Sequence, residues 1–439
     1  MKYNIMPIQH FFVLMLENRS FDHLLGFSPN LAASNTDSAT GTVYPLCSGA
    51  DFSLKGLDLD PGHEFPDVQQ QLAGPNLGFV NNYASYHPKD PGRVMECFSP
   101  EQLPVLNQLA TEFAVCDQWF SSLPGPTWPN RFFMMAASSG GLTKSPTTGD
   151  IIKATALEGY NFDHGNFFDA LDTNHIPWCI VEGDDFPVSF ALKGMDANAE
   201  KRRFVPMANF AAKLAQPGFS EQFIFIEPKY GSSNFDITGP GDFSGGNSMH
   251  PLDDVRAGEL LVKEVYEAIR SVPAVWENSV LLITFDEHGG FYDHVTPPAC
   301  TPPGDNPVNA APGQVPFDFE RLGVRVPAIV VSPLIAKGVI DHTVYDHTSA
   351  LATVENRFQF KALTGRDAAA DHFTHLFTLT TPRTDTPVTL QTPAASTAAL
   401  AVPADTDTPD SLQKDLANLE APAPQAMTTA EPEPTGPQV

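Results

Sequence analysis

Acidic and amide side chains follow directly after two apolar runs of this sequence. Glu17 and Asn18 come after the first run, and Asp286 and Glu287 come after a later one. Carboxylate and amide oxygens are the ligands that hard divalent cations prefer, so these four residues predict an oxygen-rich cation site. Two alternatives remain open: Asn18 caps a following helix, or the paired acids share a proton.

A threonine hydroxyl lies in a turn that is rich in Pro and Gly, within the segment SSLPGPTWPNRFF. We predict that a helix opens at Arg131, with Asn130 as its cap. A hydroxyl close to a helix N-terminus and a cation is placed to attack phosphorus, which makes Thr127 a candidate nucleophile. The alternative is an ordinary threonine in a rigid turn, and the spacing alone favours that alternative.

Histidines in polar loops are candidates for contact with a phosphoryl group. His63 lies in DLDPGHEF and His250 lies in GGNSMHPLDD. A histidine at such a site stabilises phosphoryl oxygens or protonates a leaving group, so we treat both as candidate catalytic residues. His288 and His294, in the segment FDEHGGFYDHV, and Asn130 are candidate substrate-binding residues. The alternative for each histidine is a surface residue without a catalytic role.

Buried strands are expected to bring these residues together at one edge of a sheet. Continuous apolar runs that end in polar or turn residues predict strands at 11–16, 178–181, 223–226, 280–285 and 326–331. Helical spacing predicts helices at 104–113 and 254–272, and His347 is expected to cap another. The alternation predicts an α/β fold, a mostly parallel sheet with helices on both faces, and ligands bind beyond the carboxyl ends of such strands.

Composition limits the partners of the protein. The 439 residues carry a formal net charge of −27, which disfavours binding to nucleic acid and to anionic lipid. Five cysteines without CxxC spacing argue against a zinc–cysteine site. The chain has no apolar run long enough for a transmembrane helix and no signal-peptide cleavage site. The sequence therefore predicts a soluble protein, cytoplasmic unless a signal for secretion has been removed.

The composition changes near the end of the chain. From about residue 381 the sequence is rich in Pro, Ala and Thr and poor in aromatic residues. Such a segment cannot bury enough apolar surface to fold alone. We therefore predict a catalytic domain over 1–380 and a tail over 381–439 that is flexible or lies as a strap on the surface, with a short helix at 411–420.

Several motifs, in this order, resemble those of the bacterial phosphoesterase family, which contains phospholipases C and related acid phosphatases. They are LENRSFDH, PGPTWPNR, MHPLDD, FDEHGGFYDHVTPP, RVPAIVVSP and YDHTSALATVE, and the resemblance runs from about residue 9 to 366. It implies an alkaline-phosphatase-like fold and one metal ion. The implied metal ligands are Glu17, Asn18, Asp286, Glu287 and Thr127, with Thr127 also the nucleophile and His63 and His250 at the phosphoryl group.

The resemblance and the residues together predict metal-dependent hydrolysis of phosphoric esters through a phosphothreonine on Thr127. Oxygen ligands favour Ca²⁺, Mg²⁺ or Mn²⁺, with Zn²⁺ as an alternative. We expect a phospholipase C-like enzyme acting on a phosphate ester, such as a phospholipid. The alternatives are an acid phosphatase of the same family and, outside enzymes, a binding protein in which the same motifs hold a structural cation.

Overall fold

The computed structural model describes residues 8–29, 31, 35–39, 42–54, 60–147, 150, 159–184, 187–195, 198, 201, 203–231, 245–310 and 314–395. In these residues an eight-stranded sheet forms the centre of the fold. Its strands, in chain order, are β1 (His10–Leu16), β6 (Ala114–Cys116), β7 (Trp178–Glu182), β8 (Phe204–Pro206), β9 (Phe223–Ile226), β10 (Ser279–Phe285), β11 (Ala328–Val331) and β12 (Val339–Asp341). Short pairs lie outside it, β2 (Thr36–Ala39) with β3 (Thr42–Pro45), and β4 (Cys47–Ser48) with β5 (Glu96–Cys97).

The order of the strands across the sheet is β12-β6-β11-β10-β1-β9-β7-β8. All neighbouring pairs are parallel except the two that involve β11, which runs antiparallel to β10 and β6. The prediction of a mostly parallel α/β sheet is confirmed. The sequence analysis grouped 326–331 with the strands of a parallel sheet, and for β11 this was wrong. A fully buried apolar run does not reveal the direction of its strand.

Helices cover the sheet, whose two central strands β1 and β10 are buried at every residue and therefore need cover on both faces. The helices are α1 (Phe21–Leu25), α2 (Phe65–Gln71), α3 (Ala73–Asn76), α4 (Phe79–Tyr86), α5 (Pro104–Glu112), α6 (Thr127–Ala136), α7 (Phe167–Thr173), α8 (Phe210–Leu214), α9 (Val255–Arg270), α10 (Pro273–Trp276), α11 (Thr348–Phe358) and α12 (Gly365–Ala369). The helices predicted at 104–113 and 254–272 correspond to α5 and α9. Among the described residues, no helix combines the length and apolarity needed to cross a membrane.

A buried carboxylate joins two of these helices. Glu259, on α9, is fully buried and accepts hydrogen bonds from the N–H groups of Val105 and Leu106, at 2.7 and 2.8 Å. These are orphan donors in the first turn of α5, so the carboxylate caps that helix. Burial raises the pKa of Glu259 to about 8, opposed by the two N–H groups.

We expect Glu259→Ala to lower the free energy of unfolding by about 2–4 kcal/mol, because it leaves two buried N–H donors without an acceptor. Urea unfolding followed by circular dichroism measures the change. Glu264→Ala, an exposed position of the same helix, is the matched control and should stay within about 0.5 kcal/mol of the parent. Equal effects of the two substitutions would contradict a capping role for Glu259.

The start of the predicted tail packs on the two helices that Glu259 joins. The Arg383 guanidinium donates to Glu112 O, the Tyr266 hydroxyl donates to Pro387 O, and Lys263 Nζ donates to Leu390 O. Within the described residues, the compact unit that contains the sheet includes this segment up to residue 395. Residues 396–439, which include the helix predicted at 411–420, lie outside the described residues.

Candidate active site

The carboxyl ends of β1 and β10 lie side by side, because these strands are parallel neighbours in register from His10 to Leu16. The residues that follow them are bonded to each other. Asp286 N donates to Leu16 O at 3.1 Å, and Asn18 N donates to Asp286 Oδ1 at 3.0 Å. The sheet thus brings the two predicted ligand pairs to one place.

Backbone conformation lets the two loops approach closely. Gly289 has a φ of +64°, and a Cβ at this position would lie 2.1 Å from Asn18 O. Asn18 itself has a φ of +56°, in the left-handed region that glycine and asparagine tolerate best. The glycine after the acid pair is therefore required for contact between the loops.

The amide of Asn18 connects the candidate nucleophile to a histidine. Thr127 Oγ1 donates to Asn18 Oδ1 at 3.3 Å, and Asn18 Nδ2 lies 3.3 Å from His63 Nε2. The His63 and His250 rings are 6.4 Å apart. The geometry therefore groups the hydroxyl, the amide and both histidines that were predicted separately.

Thr127 is the first residue of α6, and the helix start predicted at Arg131 was wrong. Asn130 is not a cap, since it lies inside the helix and its amide reaches back to the preceding turn. Its Oδ1 accepts from Leu123 N at 3.1 Å, and its Nδ2 donates to the carbonyl oxygens of Leu123, Gly125 and Pro126. The Asn130 side chain is fully buried and holds the turn before the hydroxyl, and its contact with substrate stays a prediction.

We expect Asn130→Ala to lower kcat at least about tenfold while KM changes little, since a misplaced reacting group slows the chemical step more than it weakens binding. Steady-state kinetics on a chromogenic phosphodiester measures both constants. Asn107→Ala, another buried amide with a local backbone bond, is the control for general loss of packing. An equal fall in kcat in both variants would argue against a specific role in the turn.

The surroundings of the two histidines shift their pKa values in opposite directions. Burial disfavours the charged form of His63, but Glu287 and Asp60 outweigh it and raise the pKa of His63 to about 9. Burial lowers the pKa of His250 well below its usual value, and His63 adds to the effect. His250 Nδ1 accepts from Leu252 N at 3.2 Å, so the neutral ring carries its proton on Nε2. A divalent cation among the same carboxylates would oppose the rise at His63.

The carboxylates have the properties of cation ligands. Glu17 Oε2 and Glu287 Oε1 are buried and have no hydrogen-bond partner within the described part of the chain. Burial raises the pKa of Glu17 well above its usual value and that of Asp286 to about 6, opposed in both by Arg131. Buried carboxylate oxygens without a partner are costly unless a cation binds them. These residues fit a hard divalent cation.

Two of the predicted substrate contacts have defined protein partners. His288 is buried, with Nε2 2.8 Å from Gln71 Oε1 and Nδ1 3.3 Å from Glu287 Oε2, so it supports the acid pair. The half-buried His294 has Nδ1 2.7 Å from Asp22 Oδ2, and this hydrogen bond raises the pKa of His294. The partial exposure of His294 leaves it as the better candidate for contact with substrate.

A second acidic group lies close to His294. Ligand atoms of Asp22, Asp293 and His294 lie within 4.8 Å of one another. The Arg325 guanidinium donates to Asp22 Oδ1 at 2.8 Å and to Asp293 Oδ1 at 3.1 Å, and therefore balances one of the two carboxylate charges. We interpret the cluster as a buried ion-pair network that joins the loops after β1 and β10. The cap of α1 is Ser20, whose side chain accepts a hydrogen bond from His23 N, and not Asn18.

Sequence reasoning missed several residues that support the site. His347 occupies the N-cap position of α11 without a capping bond from its side chain; Nε2 instead lies 2.7 Å from Asp286 O. Arg131 is buried against Asp286 and Glu17, and its only sequence signal was a place next to the Thr127 turn. All five cysteines are free thiols.

Comparisons with known proteins show the family to which the chain belongs. The model of the phosphoesterase family matches residues 8–361. Non-specific phospholipase C6 of Arabidopsis thaliana is 39% identical over 414 residues, which are 88% of this chain and 75% of that protein. Phospholipase C B of Mycobacterium tuberculosis is 26% identical and covers 86% of this chain and 79% of its own.

A solved structure of a protein in the alkaline phosphatase superfamily, from Vibrio parahaemolyticus, is similar with a TM-score of 0.35 and 10% identity. It covers 82% of this chain and 69% of that chain. The match of the family model over most of the chain and the identity to the plant enzyme establish the family. The chain therefore belongs to the phosphoesterase family and is a phosphoric ester hydrolase.

Proposed function

We propose that this protein is a cation-dependent phospholipase C-like enzyme that works through a phosphothreonine on Thr127. One observation carries the proposal. The Thr127 hydroxyl opens α6 and bonds to the amide of Asn18, whose neighbour Glu17 has a buried carboxylate oxygen without a partner among the described residues. Metal-assisted phosphoryl transfer needs a hydroxyl nucleophile next to carboxylate oxygens that are free to bind a cation.

The reaction would proceed in two displacements. Thr127 Oγ1 attacks phosphorus, the Oγ1–P bond forms, and the bond from phosphorus to the leaving alcohol breaks. The proton that Thr127 Oγ1 loses passes to the leaving oxygen, while the Nε2–H group of the neutral His250 donates a hydrogen bond to the charge on that oxygen and His63 supports the charge on the phosphoryl oxygens. Water then attacks from the side that the alcohol left and releases Thr127. When bound by Glu17, Asn18, Asp286, Glu287 and Thr127, a divalent cation would lower the pKa of the hydroxyl and neutralise the phosphoryl oxygens.

Two features support a lipid diester as substrate. The relatives that are 39% and 26% identical are both phospholipases C by name. Apolar side chains also flank the nucleophile. Trp128 is half-buried and packs on Phe132, with ring centres 5.8 Å apart. Phe65, next to Gly125 in the turn before Thr127, packs on the half-buried Phe317 with ring centres 5.1 Å apart. Such rings offer apolar surface to acyl chains next to a polar site.

The test compares three substrates on the purified protein: phosphatidylcholine vesicles, p-nitrophenyl phosphorylcholine and p-nitrophenyl phosphate. Each is assayed with EDTA and after addition of Mn²⁺, Ca²⁺, Mg²⁺ or Zn²⁺. We expect diacylglycerol and phosphocholine from the vesicles, cleavage of the choline diester, and loss of both activities in EDTA. The cation that restores turnover identifies the metal.

Other outcomes decide between the alternatives. Turnover of the monoester alone would replace this proposal with an acid phosphatase of the same family. Full activity in EDTA, after dialysis against chelator, would contradict the cation site. Cleavage of none of the three substrates after cation addition would contradict the phospholipase C proposal.

A further inference from the structure

Arg131 touches the ends of both strands that carry the proposed cation ligands. It lies on α6, four residues after Thr127, and is fully buried. Its Nε donates to Asp286 Oδ2 at 2.9 Å, and its Nη2 donates to Leu16 O at 3.1 Å and lies 3.9 Å from Glu17 Oε1. One planar side chain therefore connects the nucleophile helix to the loops after β1 and β10.

The remaining terminal nitrogen of Arg131 is not satisfied. Nη1 has no hydrogen-bond partner among the described residues, and it lies 3.9 Å from Glu227 Oε2. Glu227 is itself held by the N–H groups of Val188 and Ser189 and by the Tyr230 hydroxyl. A buried guanidinium nitrogen without a partner is costly, so packing alone does not explain an arginine at this position.

Charge provides the explanation. Glu17, Asp286 and Glu287 together carry three negative charges when ionised, one more than a divalent cation neutralises. A buried site with uncompensated charge is strongly disfavoured, and the fixed positive charge of Arg131 supplies what the cation lacks. The same bonds to Asp286 and Leu16 fix the direction in which the ligand loops point.

We propose that Arg131 is a positioning residue that holds the nucleophile helix in register with the cation ligands and balances their charge. This assignment rests on the proposed cation site. Partners of metal ligands orient the ligands and tune the affinity for the metal. Lysine would keep the charge but lose the fork that bonds to Asp286 and Leu16 at once, whereas methionine would lose both.

The test separates the two roles with Arg131→Lys and Arg131→Met. Titration calorimetry with Mn²⁺ alone measures the dissociation constant, and turnover of p-nitrophenyl phosphorylcholine at saturating Mn²⁺ measures kcat. We expect Arg131→Met to raise the Mn²⁺ dissociation constant at least about tenfold, and both variants to lower kcat at least about tenfold. Arg131→Lys should keep most of the Mn²⁺ affinity, because its charge remains.

Arg366→Met is the matched control. Arg366 is also buried and makes comparable bonds, to Ser122 O and Asp346, but it contacts none of the proposed ligands. Loss of Arg366 should destabilise the fold and leave the Mn²⁺ dissociation constant unchanged. If Arg131 had a merely structural role, Arg131→Met would have the same two effects.

An unchanged dissociation constant in folded Arg131→Met would overturn charge balance, and an unchanged kcat in Arg131→Lys would overturn positioning. If Arg131→Met does not fold, Arg131→Gln, which also lacks the charge, takes its place in the Mn²⁺ titration, and the kcat of Arg131→Lys still decides positioning. Absence of Mn²⁺ binding by the parent protein would overturn the proposed cation site and this assignment with it. Binding by the parent with no change in the variants would overturn only the assignment.

Discussion

The Thr127→Ala variant is expected to lose at least about 1,000-fold in turnover of a phosphodiester, because removal of a covalent nucleophile eliminates the first displacement. Among the described residues the hydroxyl donates one hydrogen bond, to Asn18 Oδ1, and Thr127 is half-buried, so the fold should survive its loss. Assays of p-nitrophenyl phosphorylcholine hydrolysis, with thermal unfolding of the same samples, measure both effects.

Thr127→Ser is the control, since it keeps a hydroxyl at the start of α6. We expect it to retain turnover within about tenfold of the parent. Mass spectrometry of acid-quenched parent enzyme should find phosphate on the peptide that contains Thr127 and not on the same peptide of the alanine variant. An alanine variant that keeps the turnover of the parent would eliminate the phosphothreonine pathway.

The sequence was sufficient to predict the grouping of the proposed cation ligands. Glu17 and Asp286 each follow a fully buried strand, and parallel neighbours deliver their carboxyl ends to the same edge of a sheet. Direction was the missing information for β11, because a run of buried apolar residues is compatible with either direction. The sequence analysis placed the start of α6 too late, because asparagine is a preferred residue at the N-cap of a helix. In the structure Asn130 lies inside the helix, and its side chain bonds to the preceding turn.

The supporting residues were beyond the reach of sequence patterns for a different reason. Arg131 and Asp286 are 155 residues apart, and Arg325 and Asp22 are 303 apart. No local spacing encodes such pairs, and a lone arginine is normally a surface residue. The polar network around the ligands therefore appeared only once the sheet had brought the loops together, whereas the ligands themselves had a local signal at each strand end.

Glu17→Gln should change stability in opposite directions in the metal-free and metal-bound protein. Without a cation, burial raises the pKa of Glu17, so its ionised form costs stability. Because the folded-state pKa is raised, the metal-free parent is more stable at low pH and loses stability as pH rises above the unfolded value of Glu17. The glutamine variant does not ionise, and in EDTA at pH 8 its Tm should exceed that of the parent.

With a cation present, the order of the two proteins should reverse. The parent gains stability by mass action when it binds the cation, whereas the glutamine variant has lost one charged ligand and gains less. We expect its Mn²⁺ dissociation constant to rise, and its kcat/KM to fall, at least about 100-fold. Thermal scans with EDTA and with Mn²⁺, and steady-state kinetics, measure these changes.

Glu259→Gln is the control that distinguishes a cation ligand from a buried carboxylate that binds no cation. Glu259 is as buried as Glu17, but it bonds to the first turn of α5, and the ligand loops are not among its partners. Its variant should therefore keep the full Mn²⁺-dependent rise in Tm. If Glu17→Gln kept that rise as well, Glu17 would not be a ligand, and its unpaired oxygen would need another explanation. For a cation ligand, the glutamine variant should have a higher Tm than the parent in EDTA and a smaller rise in Tm when Mn²⁺ is added. This combination is specific to a carboxylate whose buried charge is stable only when a cation is bound to it.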